Sequence, residues 1–80
     1  MYKNSAKDIV QMLNQRIESV VYHLLPKGKR LGNEWCIGSV EGEDGKSLKV
    51  CLSGSKLGIW MDFATGEGGD LLNLWCFCRS

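Results

Sequence analysis

The chain has 80 residues, with 44% hydrophobic and 24% charged residues, one proline and ten glycines. This length allows one domain, residues 1–80, and the composition is that of a folded protein and excludes a largely disordered one. A formal net charge of +1 gives no global electrostatic signature of nucleic-acid binding, so any basic surface must be local.

The N-terminal segment predicts a long amphipathic helix over about residues 5–25. Its apolar residues recur at steps of three and four: Ile9, Leu13, Ile17, Val20, Val21 and Leu24. Ser5 and Asp8 have the spacing of a capping box, and Pro26 ends the helix. No apolar run reaches the roughly 20 residues that span a bilayer, and the segment is too charged for a signal peptide. We therefore predict a cytoplasmic protein without membrane contact.

A short basic turn, Lys27-Gly28-Lys29-Arg30, follows this helix. It has two interpretations. Either the turn is a solvated connection whose positive charges interact favourably with the C-terminal end of the helix dipole, or its basic side chains contact phosphates. The residue pattern alone leaves both open.

Three segments with strand character come next, at 34–40, 47–52 and 57–63, separated by Gly-, Ser- and Asp-rich connections. They predict a three-stranded antiparallel sheet within about residues 33–63, covered by the long helix. The alternation puts the following side chains on the covered face: Leu48, Val50, Leu52, Ile59, Met61 and Phe63. Lys49 and Trp60 are then expected beside each other on the opposite face.

Gly68-Gly69-Asp70 predicts the start of a short C-terminal helix, about residues 70–79, with Asp70 as its N-cap. The predicted fold class is therefore α+β. The last turn has no glycine cap or proline stop, so we expect a module cut from a longer protein or a shortened descendant of one.

Four cysteines, Cys36, Cys51, Cys76 and Cys78, are poorly spaced for a structural zinc site, and disulfides are not expected in a reducing cytosol. We favour small buried hydrophobic side chains. A zinc site that uses all four in a rearranged geometry is the alternative.

Residues 36–39, 46–50, 59–63 and 66–72 together resemble the N-terminal zinc-ribbon domain of bacterial DnaG-type primases. The sequence is more similar still to the divergent version of this domain at the N-terminus of phage and plasmid primases and primase-helicases. In this alignment the four zinc-ligand positions of the family fall on Cys36, Ser39, Asp62 and Thr65. Hydroxyl groups are weak zinc ligands, so the resemblance implies a zinc-ribbon-like fold that has lost its metal, and we expect no cofactor.

In the resembled primases this domain contacts the single-stranded DNA template, and catalysis belongs to another domain. The resemblance implies a non-catalytic template-recognition module whose partners are single-stranded DNA and a primase catalytic or helicase domain. The expected phosphate contacts are Lys27, Lys29, Arg30, Lys46, Lys49 and Lys56, and Trp60 and Trp35 are the expected stacking platforms. A plainer interpretation makes Trp60 a core residue and the lysines solubilising charges.

An alternative of another class is a protein-interaction module, with possible weak self-association. Trp75 and Phe77 motivate it, because an apolar terminal segment without a stop signal often continues or binds a partner. Catalysis is not expected. Asp62, Glu67 and Asp70 are explained by turn formation and helix capping.

Overall fold

The computed structural model describes residues 5–79; residues 1–4 and 80 of the predicted domain lie outside them. The described part is an α+β arrangement of three helices and five strands. In chain order these are α1 (Ala6–Gln15), α2 (Ile17–Leu24), β1 (Lys29–Leu31), β2 (Glu34–Ile37), β3 (Leu48–Cys51), β4 (Trp60–Asp62), β5 (Gly68–Gly69) and α3 (Leu71–Arg79).

The five strands form one open antiparallel sheet in sequence order, from β1 at one edge to β5 at the other. Residues directly opposite each other in such a ladder lie on the same face. One row across the sheet is Lys29, Cys36, Lys49, Met61 and Gly68, and the next is Arg30, Trp35, Val50, Trp60 and Gly69. Because side chains alternate along a strand, these two rows face opposite ways.

The core lies between the helices and the face that carries the second row. Its buried members are Ile17, Val20, Val21, Leu25, Ile37, Leu48, Val50, Leu52, Trp60, Leu71 and Leu74. Only α2 and α3 among the helices supply fully buried side chains, while α1 packs against α3 with half-buried ones. The helices therefore cover one face of the sheet and leave the other open.

Both predicted helix starts are confirmed. The Ser5 hydroxyl accepts a hydrogen bond from the Asp8 amide, and the Asp8 carboxylate accepts one from the Ser5 amide. At α3 the Asp70 carboxylate accepts from the amide of Asn73 at 2.8 Å.

The prediction of a single helix over residues 5–25 is wrong, because the helix is broken at Arg16. The Arg16 backbone has φ −123° and ψ 35°, outside the helical region. The chain bends there, so that α1 lies against α3 while Ile17, Val20 and Val21 of α2 enter the core. Neither proline nor glycine marks the bend, so it is a product of packing and not of local propensity.

The prediction of a three-stranded sheet is also wrong, because the sheet has five strands. The basic turn contributes β1, and the glycine turn before α3 contributes β5. Both added strands are short edge strands, which local sequence patterns signal weakly. The three predicted strands are present but shorter than expected.

The predicted faces of the third strand are reversed. Trp60 lies opposite Val50 in the core and is 1% exposed, while Met61 lies opposite Lys49 on the open face. The predicted pairing of Lys49 with Trp60 is therefore wrong. A phase shift of one residue moves every side chain of a strand to the other face.

Two features favour the observed phase of β4. Trp60 contributes a larger apolar side chain to the core than any of the residues it displaces, and its ring meets the Phe77 ring edge-on at 5.5 Å. Asp62 is turned inward with it, and its carboxylate accepts a hydrogen bond from the Ala64 amide at 2.9 Å. That bond lowers the cost of burying a carboxylate.

Candidate nucleic-acid interface

The sheet face turned away from the helices, called here the open face, carries most of the predicted basic residues. Lys29, Cys36, Lys49 and Met61 form its central row. Two cavities lie over it, one towards β1 and one towards β4. The open face thus has two distinct parts.

The cavity towards β1, called here the lysine pocket, has a volume of about 390 Å³. Its lining residues are Lys27, Lys29, Leu31, Cys36, Asp44, Gly45 and Lys46. Within residues 5–79, none of the three lysines forms an ion pair. The lining of the pocket therefore includes three lysines without an ion-pair partner among the described residues and one acidic residue, Asp44.

Trp35 holds the basic turn that supplies two of these lysines. Its indole Nε1 donates to the carbonyl oxygen of Leu25 at 3.0 Å, and the amide of Gly28 donates to the same carbonyl. Gly28 lies so close to the indole ring that a Cβ at this position would overlap it. Trp35 thereby fixes the backbone of the turn from which the Lys27 and Lys29 side chains extend.

The third lysine is brought in by the loop between β2 and β3. The Gly38 amide donates to the carbonyl of Glu43 at 2.8 Å, which folds the loop back on itself. Gly45 has φ 146° and approaches Gly38 so closely that a Cβ on it would lie 2.9 Å from the Gly38 Cα. A side chain at Gly45 would push this loop, and Lys46 with it, away from the sheet.

The second part of the open face, called here the β4 patch, consists of Ile59, Met61 and Phe63. All three are exposed, Phe63 by 66%. They line a cavity of about 250 Å³ with Lys49 and Lys56. Glu34 also lines this cavity. Exposed apolar side chains bordered by polar and charged residues are a feature of binding surfaces.

Lys49 lies between two partners in this patch. Its ammonium nitrogen is 5.8 Å from the centre of the Phe63 ring and 3.8 Å from a carboxylate oxygen of Glu34. Both contacts are largely solvent-exposed, so they are weak and exchangeable.

Five of the six predicted phosphate-contacting residues thus lie on the open face: Lys27, Lys29, Lys46, Lys49 and Lys56. Arg30 does not join them. It lies on the helix side with Trp35, where its guanidinium donates to the Glu18 carboxylate at 3.0 Å. Its charge is already compensated there.

Neither tryptophan is available as a stacking platform. Trp60 is buried in the core, and Trp35 is half-buried with its Nε1 bonded to Leu25. The exposed aromatic side chain on the open face is Phe63, which we predicted on the covered face. Alternation could not reveal its exposure, because both phases of β4 satisfy the alternating pattern.

The four positions aligned with zinc ligands are not gathered into one site. Cys36 lies on the open face and Asp62 on the covered face. The hydroxyls of Ser39 and Thr65 each form a hydrogen bond within their own turn, to Glu43 and Glu67. Asp62, Ser39 and Thr65 thus each form a hydrogen bond within their own turn, and Cys36 is buried.

The four cysteines are free and dispersed, and only Cys36 is buried, while Cys76 is exposed. Across residues 5–79, no three His, Cys, Asp or Glu side chains are grouped so that they could hold a metal ion. The alternative of a rearranged four-cysteine site is therefore wrong for the described chain. Burial of Cys36 and partial burial of Cys78 raise the pKa of both thiols, which disfavours the thiolate form that binds metals.

The C-terminal aromatics are not free surface groups. The Trp75 ring stacks on His23 at 5.6 Å between centroids, and Phe77 contacts Trp60. Both pack against the core. The observation that motivated a protein-interaction surface on α3 is therefore removed.

Comparisons of the chain with family models, with curated proteins and with solved structures found no match. In the part of the chain that the structure describes, no helix combines the length and apolarity needed to cross a bilayer.

Proposed function

We propose that this protein is a non-catalytic module that binds single-stranded nucleic acid on its open face. One observation carries the proposal. Five lysines and three exposed apolar side chains lie together on an open sheet face. Proteins that bind single strands combine a basic surface for the backbone with aromatic groups on which bases stack.

The charge distribution supports this function more than the net charge does. The residues lining the two cavities include five lysines and two carboxylates, Asp44 and Glu34. This is a local excess of three positive charges in a chain whose net charge is +1. A local excess attracts a polyanion without a basic protein overall.

The spacing of the groups also suits an extended strand. Lys29 and Lys49 are two strands apart in one row, or about 10 Å. Met61 continues that row, and Phe63 lies at the end of β4. A strand running across the sheet would meet cations first and apolar side chains next.

We further propose that the module serves template recognition, as the resemblance to the N-terminal domain of phage and plasmid primases implies. On this proposal the sheet is a zinc-ribbon-like scaffold that is stabilised by a hydrophobic core. The primase catalytic or helicase domain is then its protein partner, and the cytoplasm its location. The order of helix, antiparallel sheet, glycine turn and helix is compatible with that relationship.

Fluorescence anisotropy with a labelled single-stranded oligonucleotide tests the proposal. We expect binding at low salt that weakens as salt rises, with a log–log slope reduced by about 0.7 for each phosphate-contacting lysine removed. Lys49→Gln should reduce both affinity and slope. Lys7→Gln, which removes the same charge from an exposed position of α1, is the matched control and should change neither.

Absence of binding at low salt would contradict the proposal, as would equal effects of the two lysine substitutions. In that case the β4 patch would be assigned to a protein partner or to a second copy of the chain. Sedimentation at rising protein concentration distinguishes those two.

A further inference from the structure

We propose that the lysine pocket receives a terminal phosphate monoester, so that the module recognises a phosphorylated end of a single strand. This inference rests on the proposed function, since the strand that leads from the pocket is the one bound by the open face. The pocket is a separate cavity from that of the β4 patch. It therefore offers a second, more selective contact.

The charge of the pocket fits a dianion better than a monoanion. Lys27, Lys29 and Lys46 line it with Asp44 as the one carboxylate. This leaves an excess of two positive charges. A phosphate monoester carries about −1.5 to −2 at pH 7, whereas each backbone diester carries one negative charge.

The three lysines are also free to bind. Two cations elsewhere on the sheet are engaged, Lys49 with Glu34 and Arg30 with Glu18. In the described chain, those of the lysine pocket have no carboxylate within ion-pair distance. An incoming phosphate would not have to displace an existing partner.

The arrangement of the pocket suits a terminal group. Its lining combines the Cys36 side chain, which is 3% exposed and on the central row, with the folded-back loop at Gly45 and Lys46 and with the basic turn at Lys27 and Lys29. The lysines thus come from two separate segments of the chain. A terminal phosphate has three free oxygens with which to contact cations from more than one segment.

The pocket and the β4 patch are far enough apart to hold different parts of one strand. They lie over β1 and β4, three strand spacings or about 14 Å apart. A strand anchored by its end in the pocket can reach Phe63 with bases a few nucleotides further on. The pocket thus defines which bases lie over the patch.

Anisotropy competition with four unlabelled ligands tests this inference. They are one oligonucleotide with a 5′-phosphate, the same sequence with a 3′-phosphate, the same sequence with hydroxyls at both ends, and a nucleoside monophosphate. We expect either the 5′-phosphorylated or the 3′-phosphorylated oligonucleotide to bind about tenfold or more tightly than the oligonucleotide with hydroxyls at both ends. We expect the nucleoside monophosphate to compete much more weakly, because it lacks the contacts of the β4 patch.

Three substitutions sharpen the test. Lys46→Gln should abolish the preference for the phosphorylated strand. Lys56→Gln, which removes a lysine from the β4 cavity, should weaken phosphorylated and hydroxyl strands equally and leave their ratio unchanged. Asp44→Asn should increase the preference, because it removes the one negative charge of the pocket.

The outcomes separate this inference from the proposed function. Equal affinity for phosphorylated and hydroxyl strands would overturn the terminal-phosphate site and leave the open face as a strand-binding surface. No binding of either strand would overturn both. Competition by the nucleoside monophosphate as strong as by the phosphorylated strand would overturn a strand end as the source of the phosphate.

Discussion

The ammonium nitrogen of Lys49 lies over the ring of Phe63, 5.8 Å from its centre. A carboxylate oxygen of Glu34 lies 3.8 Å from the same nitrogen. A base that stacks on the face of the Phe63 ring under Lys49 would displace the ammonium group, and a phosphate that binds Lys49 would compete with Glu34. Glu34 therefore opposes nucleic-acid binding in the proposed mechanism.

Glu34→Gln should increase affinity for single-stranded DNA. The substitution frees Lys49 and removes a negative charge from the open face, and an exposed ion pair of about 1 kcal/mol or less corresponds to a gain of up to about fivefold. Glu18→Gln is the matched control, because Glu18 pairs with Arg30 on the helix side. Unchanged or weaker binding by Glu34→Gln would contradict this role of Glu34.

Phe63→Ala should weaken binding of single strands at every salt concentration. Stacking on an aromatic side chain contributes about 1–3 kcal/mol per base, so we expect a loss of about fivefold or more. Tyr22→Ala removes an aromatic ring of nearly equal exposure, 64% against 66%, from the helix side. If both variants lose the same affinity, Phe63 is not a stacking platform.

Trp60→Ala should destabilise the fold strongly, because it empties a fully buried site in the core. Loss of a buried aromatic side chain costs about 3–5 kcal/mol in the free energy of unfolding. Met61→Ala, at the next residue on the open face, should cost less than about 1 kcal/mol. Urea denaturation of both variants measures the difference, and equal losses would contradict the assignment of the two faces.

Stability should fall as the pH rises above the ordinary pKa of a thiol. Burial is the main cause of the raised pKa of Cys36, Glu34 adds to it, and Lys49 and Lys46 partly offset it. Above the ordinary value the unfolded chain loses the Cys36 proton while the folded chain retains it. The unfolded state then binds fewer protons, so the free energy of unfolding decreases with pH until the raised folded pKa is passed.

Cys36→Ala isolates this effect from the titration of the rest of the chain. Its unfolding free energy, measured by urea denaturation from neutral to alkaline pH, should decline less steeply than that of the wild type. Parallel declines would show that the Cys36 thiol is not the group responsible.

Much of the fold was predictable because it depends on local signals. The capping box at Ser5, the Asp70 cap and the antiparallel sheet all follow from residue types at short spacing. The break at Arg16 was not predictable, since it results from α1 and α2 packing on different partners. Strands β1 and β5 were missed because an edge strand of two or three residues has almost no pattern of its own.

The site was predictable in its charges but not in its aromatic group. Lys27, Lys46 and Lys56 lie outside the strands, where exposure does not depend on register, and the predicted phase of β3 already placed Lys49 on the face opposite Leu48 and Val50. With Lys29 on β1, five of the six predicted cations lie on the open face. The aromatic assignment depended on the phase of β4, where Trp60 and Asp62 compete with Met61 and Phe63 for the covered face. Alternation alone does not decide which set is buried. Burial of the larger Trp60 ring in the core favours the observed phase.

The most direct test of the central claim is a two-dimensional amide NMR titration of the protein with a single-stranded oligonucleotide. If the open face binds the strand, the amides of Lys29, Lys49, Met61 and Phe63 should shift together and saturate at one affinity, while those of α1 and of Tyr22 stay in place. Shifts confined to the helix side, or no shifts at low salt, would contradict it.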